Sequence, residues 1–184
     1  MFPAEVLKQF DLNGPRYTSY PTADRFTPTF QPTDYDRALR GAQRKPVSLY
    51  VHVPFCARKC EYCAFYSEAS DGAVIQRYVQ SLVRELELIA SDLRPRTIFF
   101  GGGTPSLLNL AQWKEILSAM GRLNLLGAAE WTIESNPATV SLDKAKLWRD
   151  HGINRVSMGV QSLDEQLLDR LGRIHSREMV FKSF

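Results

Sequence analysis

The sequence predicts an α/β fold in which parallel strands alternate with helices packed outside them. Two observations carry this reading. Four β-rich runs follow one another after residue 46, and helical periodicity or a helix start follows each of them. The strands also divide into an apolar face, suited to covering helices, and a polar face opposite. Composition agrees: 44% hydrophobic and 23% charged residues are the proportions of a globular chain. A chain of 184 residues can bury one sizeable core.

Residues 1–46 contain Pro3, Pro15, Pro21, Pro28, Pro32 and Pro46 and read as an irregular arm with one short helix over 34–42. SLYVHV (48–53) alternates strictly and is expected as the first strand, stopped by Pro54. Ile75, Val79, Leu82, Leu86, Ile89 and Leu93 recur at steps of three and four, which predicts a helix with one apolar stripe. RTIFF (96–100) is the second strand and runs into Gly101, Gly102 and Gly103. Leu110, Trp113, Leu117 and Met120 mark the second helix. EWTIES (130–135) is the third strand, closed by Asn136 and Pro137. Ser141 caps a third helix, with Lys144 where a complete capping box has Glu or Gln. NRVSMGVQ (154–161) is the fourth strand, and a last helix is expected from about Ser176 through Phe184.

Leu49, Val51, Val53, Trp131, Ile133, Val156, Met158 and Val160 fall on the helix-covered face. Tyr50, His52, Thr132, Glu134, Arg155, Ser157, Gly159 and Gln161 fall on the inner face. A solid barrel interior prefers Val, Ile and Leu. A polar inner face is therefore expected to be a site, widest at the C-terminal strand ends.

The net charge of +3 is small and not gathered into a run, so nucleic acid is not expected as a partner. No stretch reaches the ~18 apolar residues of a membrane span, and the N-terminus has no apolar signal core. A cytoplasmic location is the expectation.

All three cysteines lie in CARKCEYC, at Cys56, Cys60 and Cys63. In a reducing compartment such clustered thiols are ligands or catalysts rather than disulfide partners. Three readings compete. A structural zinc needs a fourth ligand, and His52, His151 and His175 are poorly placed in the sequence to supply it. A redox pair of Cys60 and Cys63 leaves Cys56 idle. A 4Fe–4S cluster takes thiolates, and three of them leave one iron open for a small molecule.

Cys56-x3-Cys60-x2-Cys63 directly after a first strand resembles the radical S-adenosylmethionine (SAM) superfamily. The resemblance implies a partial βα barrel over 47–184 with four units visible, a 4Fe–4S cluster on the three cysteines, and SAM on its open iron. LYVHVPFC (49–56), FFGGGTPSLL (99–108), IESNP (133–137), NRVSMGVQS (154–162) and LGRIHS (171–176) are similar to the oxygen-independent coproporphyrinogen III oxidase family. That family includes coproporphyrinogen dehydrogenases and related heme chaperones. The resemblance implies SAM contacts from Tyr50, Tyr62, Gly102, Gly103, Thr104, Glu134, Gln161 and Arg173. Arg173 would meet the SAM carboxylate. His52 is expected as a satisfied core histidine. No catalytic side chain is assigned. A porphyrinogen or heme, and an electron donor such as flavodoxin or ferredoxin, are the implied partners.

GPRYTSYPTADRF (14–26) is close to the dehydrogenase arm, and there Arg16 and Arg25 are candidate contacts for substrate carboxylates. The dehydrogenases carry a fourth cysteine where this chain has Phe65, as the chaperones do. The family barrel continues beyond four units, so the barrel is expected to be incomplete at the C-terminus, with an unpaired edge on the fourth strand.

Overall fold

The computed structural model describes residues 47–69 and 71–184, with Thr33 and Arg37 besides. The arm expected over 1–46, Arg16 and Arg25 within it, and all of the 34–42 helix except Arg37 lie outside the described residues.

Strand β1 (Val47–Val53) leads through the cysteine loop to helix α1 (Gly72–Ile89). Then come β2 (Pro95–Gly102), α2 (Leu110–Arg122), β3 (Glu130–Ser135), α3 (Leu142–Asp150) and β4 (Arg155–Met158). Two short helices follow, α4 (Glu165–Arg170) and α5 (Arg177–Ser183). The sheet order is β1-β2-β3-β4 and every pairing is parallel. Each crossover therefore steps one place in the same direction. Right-handed crossovers of that kind put every helix on one side and leave the other face of the arc free for a site.

The covering side is the core. Val51, Val53, Ile98, Phe100, Trp131 and Ile133 meet Ile75, Val79, Leu82 and Leu86 of α1 and Trp113, Ile116, Leu117 and Met120 of α2, all of them buried. Phe100 lies 5.2 Å from Trp113 and 6.0 Å from Trp131 between ring centres, and Trp113 lies 5.5 Å edge-on to Trp148 of α3. Burying large side chains of this kind stabilises by roughly 1.5–3 kcal/mol each. The indole N–H groups of Trp113, Trp131 and Trp148 have no acceptor among the described residues, which offsets part of that gain.

The helix starts follow side-chain chemistry. Asp71 Oδ1 accepts from the Ala73 and Val74 amides at 2.9 Å, and Asn109 with Gln112 forms a full capping box on α2. Ser141 Oγ accepts from the Lys144 amide at 3.3 Å, as expected for α3.

Some details differ from the sequence expectation. Strand β4 has four residues and ends at Met158. Gln161 takes a left-handed φ of 67°, so the chain has left the sheet and turns across the rim there. Helix α4 is not expected from periodicity, because six residues give too few turns and only Leu168 is buried. The last helix is capped by Ser176 and runs to Ser183, next to the final residue, as expected. Val156, placed on the covered face, is 46% exposed, because it borders an open groove beside Trp148 and Ile153.

Candidate functional site

The C-terminal strand ends converge on a cleft of about 320 Å³. After β1 comes the cysteine loop. Its entry is fixed by Phe55, which is buried and stands edge-on to Tyr78 of α1 at 5.2 Å. Its exit is fixed by the Cys56 amide donating to Glu68 O at 3.0 Å and the Glu68 amide donating to Pro54 O at 2.8 Å. Between these ties Cys56, Cys60 and Cys63 are free, half-buried thiols on the cleft wall.

After β2 comes the glycine run. The Gly103 amide donates to Val53 O and the Thr104 amide to Phe55 O, both at 2.8 Å, which zips the run to the cysteine loop. Close approach is why these residues are glycines. A Cβ on Gly103 would sit 2.7 Å from Phe55 O, and one on Gly102 would sit 2.7 Å from the His52 ring. Gly102 also holds a φ of 107°. Thr104 Oγ1 lies 3.4 Å from Cys56 Sγ.

After β3, Glu134 reaches back across the sheet, and its Oε2 accepts from the Gly102 amide at 3.1 Å. Burial holds this carboxyl above the usual carboxylate range, opposed by the Gly102 hydrogen bond and by nearby His52. After β4, Arg173 enters the cleft. It donates to Gly159 O and, at 3.2 Å, to Cys60 Sγ, while its Nε is buried without a partner among the described residues. Tyr62 OH lies 3.5 Å from Arg173. Burial first, then the neighbouring thiols, push the Tyr62 phenol up, against the pull of Arg173.

Cys56, Cys60, Cys63, Tyr62, Gly102, Gly103, Thr104, Glu134, Gln161 and Arg173 thus line one cleft, drawn from all four strand ends. Tyr50 is not among the lining residues. It stacks on Phe99 at 5.9 Å and its hydroxyl pairs with His52 Nδ1 at 2.9 Å. His52 is only half-buried, and its Nε2 lies 3.3 Å from Tyr66 O just past the cysteine loop, so it is a satisfied histidine at the site's edge. Asn136, Thr139, Ser157 and Met158 also line the cleft, and Met158 departs from the covered-face expectation because β4 ends at it and the chain then turns across the rim. Strand alternation put Ser157 on the inner face, whereas nothing in the sequence singled out Thr139.

The donor set is three free thiols on one loop, the ligand type that iron–sulfur groups take. Among the described residues, no three His, Cys, Asp or Glu side chains converge closely enough to hold a single metal ion. Zinc needs such convergence, with sulfur at about 2.3 Å.

A parallel βα arc with a three-cysteine loop on its C-terminal rim defines a class, and the family comparison agrees. The radical SAM superfamily model matches residues 50–184. The chain belongs to the radical SAM superfamily. It is 38% identical, over 95% of its length and 40% of the relative's, to the oxygen-independent coproporphyrinogen III oxidase of Pseudomonas aeruginosa. It is 46% identical, over 71% of its length and 36% of the relative's, to the heme chaperone HemW of Escherichia coli. Its fold matches a solved structure described as coproporphyrinogen III oxidase (HemN) from Escherichia coli, a radical SAM enzyme. That match has a TM-score of 0.82 and 29% identity and covers 99% of this chain and 42% of the other. The chain therefore spans about 40% of the length of these relatives. Among the described residues, no helix is long and apolar enough to cross a membrane.

Proposed function

We propose that the cleft holds a 4Fe–4S cluster on Cys56, Cys60 and Cys63 and SAM beside it, in a protein acting on a porphyrinogen in the manner of coproporphyrinogen III oxidases. The observation that carries this is the meeting of three free thiols, Glu134, Gln161 and Arg173 in one cleft. When bound, cluster and SAM supply one-electron cleavage chemistry that yields an organic radical able to take hydrogen from a substrate. The residues supply the frame. The three thiolates hold iron, Arg173 offers its guanidinium to a carboxylate, and Glu134 accepts from an amino or hydroxyl group. The glycine run lets backbone approach the ligand. On this reading the substrate is coproporphyrinogen III, two of whose four propionates would each give a hydrogen atom to the radical and then lose CO2 and one electron, passed to an electron acceptor, to become vinyl groups. Arg16 and Arg25 would receive its carboxylates, Tyr50 would extend the SAM site, a flavodoxin or ferredoxin would deliver electrons, and the location would be the cytoplasm.

A second reading is favoured by Phe65, which occupies the position of the dehydrogenases' fourth cysteine and lines the cleft. The 46% identity to HemW points the same way. On it the protein binds cluster, SAM and heme and transfers heme without decarboxylation. One experiment separates the two. The intact, reconstituted protein is incubated anaerobically with SAM, reductant and coproporphyrinogen III. Deoxyadenosine formed together with protoporphyrinogen IX supports the oxidase. Tight heme binding without turnover supports the chaperone. Failure to bind iron at all overturns both.

A further inference from the structure

Lys144 lies outside the cleft yet holds its floor together. From the first turn of α3 its Nζ donates to Ser106 O at 2.8 Å and to Thr139 O at 2.9 Å. Those carbonyls belong to two different 3-10 turns, Pro105–Leu107 after β2 and Pro137–Thr139 after β3. The turns also touch directly. Ser106 Oγ lies 2.5 Å from Thr139 Oγ1 and accepts from the Asn136 amide at 3.0 Å. Thr139 Oγ1 donates to Asn136 O at 2.9 Å. Ser106 is fully buried and Asn136 nearly so.

Each turn carries a wall of the cleft. The first begins at Thr104, which lies against Cys56 Sγ and donates its amide to Phe55 O. The second brings Asn136 and Thr139 to the lining of the same cleft. The ammonium thus spans the seam between the turn that lies against Cys56 and the turn that follows Glu134.

A lysine is an unusual choice for tying loops. Lysine is nearly always exposed, and burial here pushes its ammonium below the ordinary lysine range. It has no carboxylate partner among the described residues. A neutral side chain could fill the space. Two backbone carbonyls of separate turns, both pointing at one spot, are what a charged multi-donor group serves best.

We propose that Lys144 is a positioning residue for the SAM cleft: its ammonium locks the turn after β2 to the turn after β3 and so sets the placement of Thr104 and Asn136 in the cleft lining. The proposal rests on the SAM reading above.

The test uses the intact protein with Lys144→Met, which keeps the apolar stem, and Lys144→Arg, whose fork can span two carbonyls. Two measurements are made. The first is hydrogen exchange without ligand, read at the amides of Leu107, Leu108, Asn136 and Thr139. Lys144→Met should speed exchange in both turns, and Lys144→Arg should restore protection. The second is the SAM dissociation constant of the reconstituted protein, expected to rise on the order of tenfold in Lys144→Met, ~1.4 kcal/mol, and to return toward wild type in Lys144→Arg. A merely structural lysine would lower the melting temperature in Lys144→Met and leave SAM affinity unchanged, and that result overturns the proposal. So does unaltered exchange in the two turns. If wild type does not bind SAM, the functional reading has failed and the cleft role with it, while exchange still judges the lock between the turns. Lys144→Gln, which keeps one donor but not the bridge, replaces Lys144→Met if that variant does not fold, with the same criteria.

Discussion

Arg173 Nη1 lies 3.2 Å from the sulfur of Cys60, a residue 113 positions earlier in the chain. The Glu61 amide, next to that cysteine, donates to Leu171 O at 3.2 Å. Gly172 turns there with a φ of 68° and lets Glu61 pack against its Cα. The loop after the last strand of the arc is therefore tied to the loop after the first. The tie closes the rim over the cleft and holds the middle cysteine at its wall.

The first prediction follows from that tie. Arg173→Ala should loosen the cysteine loop and remove a cation from the cleft. SAM affinity should fall by roughly 10- to 150-fold, the equivalent of about 1.5–3 kcal/mol for a charged hydrogen-bond partner. Arg173→Lys keeps the charge but not the fork and should recover only part of the loss. Titration of the reconstituted variants with SAM checks this. Equal affinity in wild type and Arg173→Ala would show that the arginine only braces the loop.

The second prediction concerns the thiols. Cys60→Ala should abolish stoichiometric iron and sulfide after anaerobic reconstitution, and Cys56→Ala and Cys63→Ala should do the same. An intact cluster spectrum in any of the three variants, or tightly bound zinc in the wild type, would contradict the assignment.

Much of this site was legible before any coordinates. Strand alternation puts Glu134 on the inner face and Ile133 on the covered one, and both lie where the period of two sends them. Three cysteines spaced for one loop read as candidate ligands, and all three line the cleft. Residues outside the regular periods were not legible. Lys144 read as an imperfect capping-box residue, since nothing local says that its side chain reaches turns 5 and 38 positions away. Tyr50 carried an inner-face assignment, yet it pairs with His52 beside the cleft. Alternation gives a face but not a distance along it. Val156 looked like core because pattern cannot show whether anything covers an edge strand.

The third prediction uses the glycines. Gly103→Ala would press a Cβ against the Phe55 backbone, with carbonyl oxygen at 2.7 Å and amide nitrogen at 2.9 Å. Backbone cannot swing aside as a flexible side chain can, so the cysteine loop itself must move. A loss of about 1–3 kcal/mol is expected, together with reduced iron occupancy. Gly121 supplies the control. It lies within α2, its nearest obstacle is Leu126 Cδ1 at 3.5 Å, and Gly121→Ala should stabilise by about 0.4–1 kcal/mol without touching iron content. Denaturant melts with iron analysis of both variants decide it. If Gly103→Ala retains full iron and stability, the zipper between the two loops is not what holds the cluster loop.

The last prediction separates the two duties of Glu134, one before and one after ligand binding. Its carboxyl is held above the ordinary 4.5 chiefly by burial, with the Gly102 amide and His52 pulling the other way. The folded value is raised over the unfolded one. The associated stability is therefore fully present below pH 4.5 and is lost as pH rises through the folded value. Without ligand, wild type should thus lose stability relative to Glu134→Gln across that window, since glutamine does not titrate and still accepts from the Gly102 amide. The two proteins should melt alike near pH 4.5 and diverge toward neutrality, with the variant higher. Ligand reverses the order. A SAM amino or hydroxyl donor favours the ionised carboxylate, so wild-type affinity should climb over the same pH range while that of Glu134→Gln stays flat and weaker at neutral pH. Melting curves and SAM titrations at several pH values test both halves. Parallel stability profiles would show that burial does not strain this carboxyl. Parallel affinity profiles would show that it faces no ligand and serves only to tie β3 to the Gly102 turn.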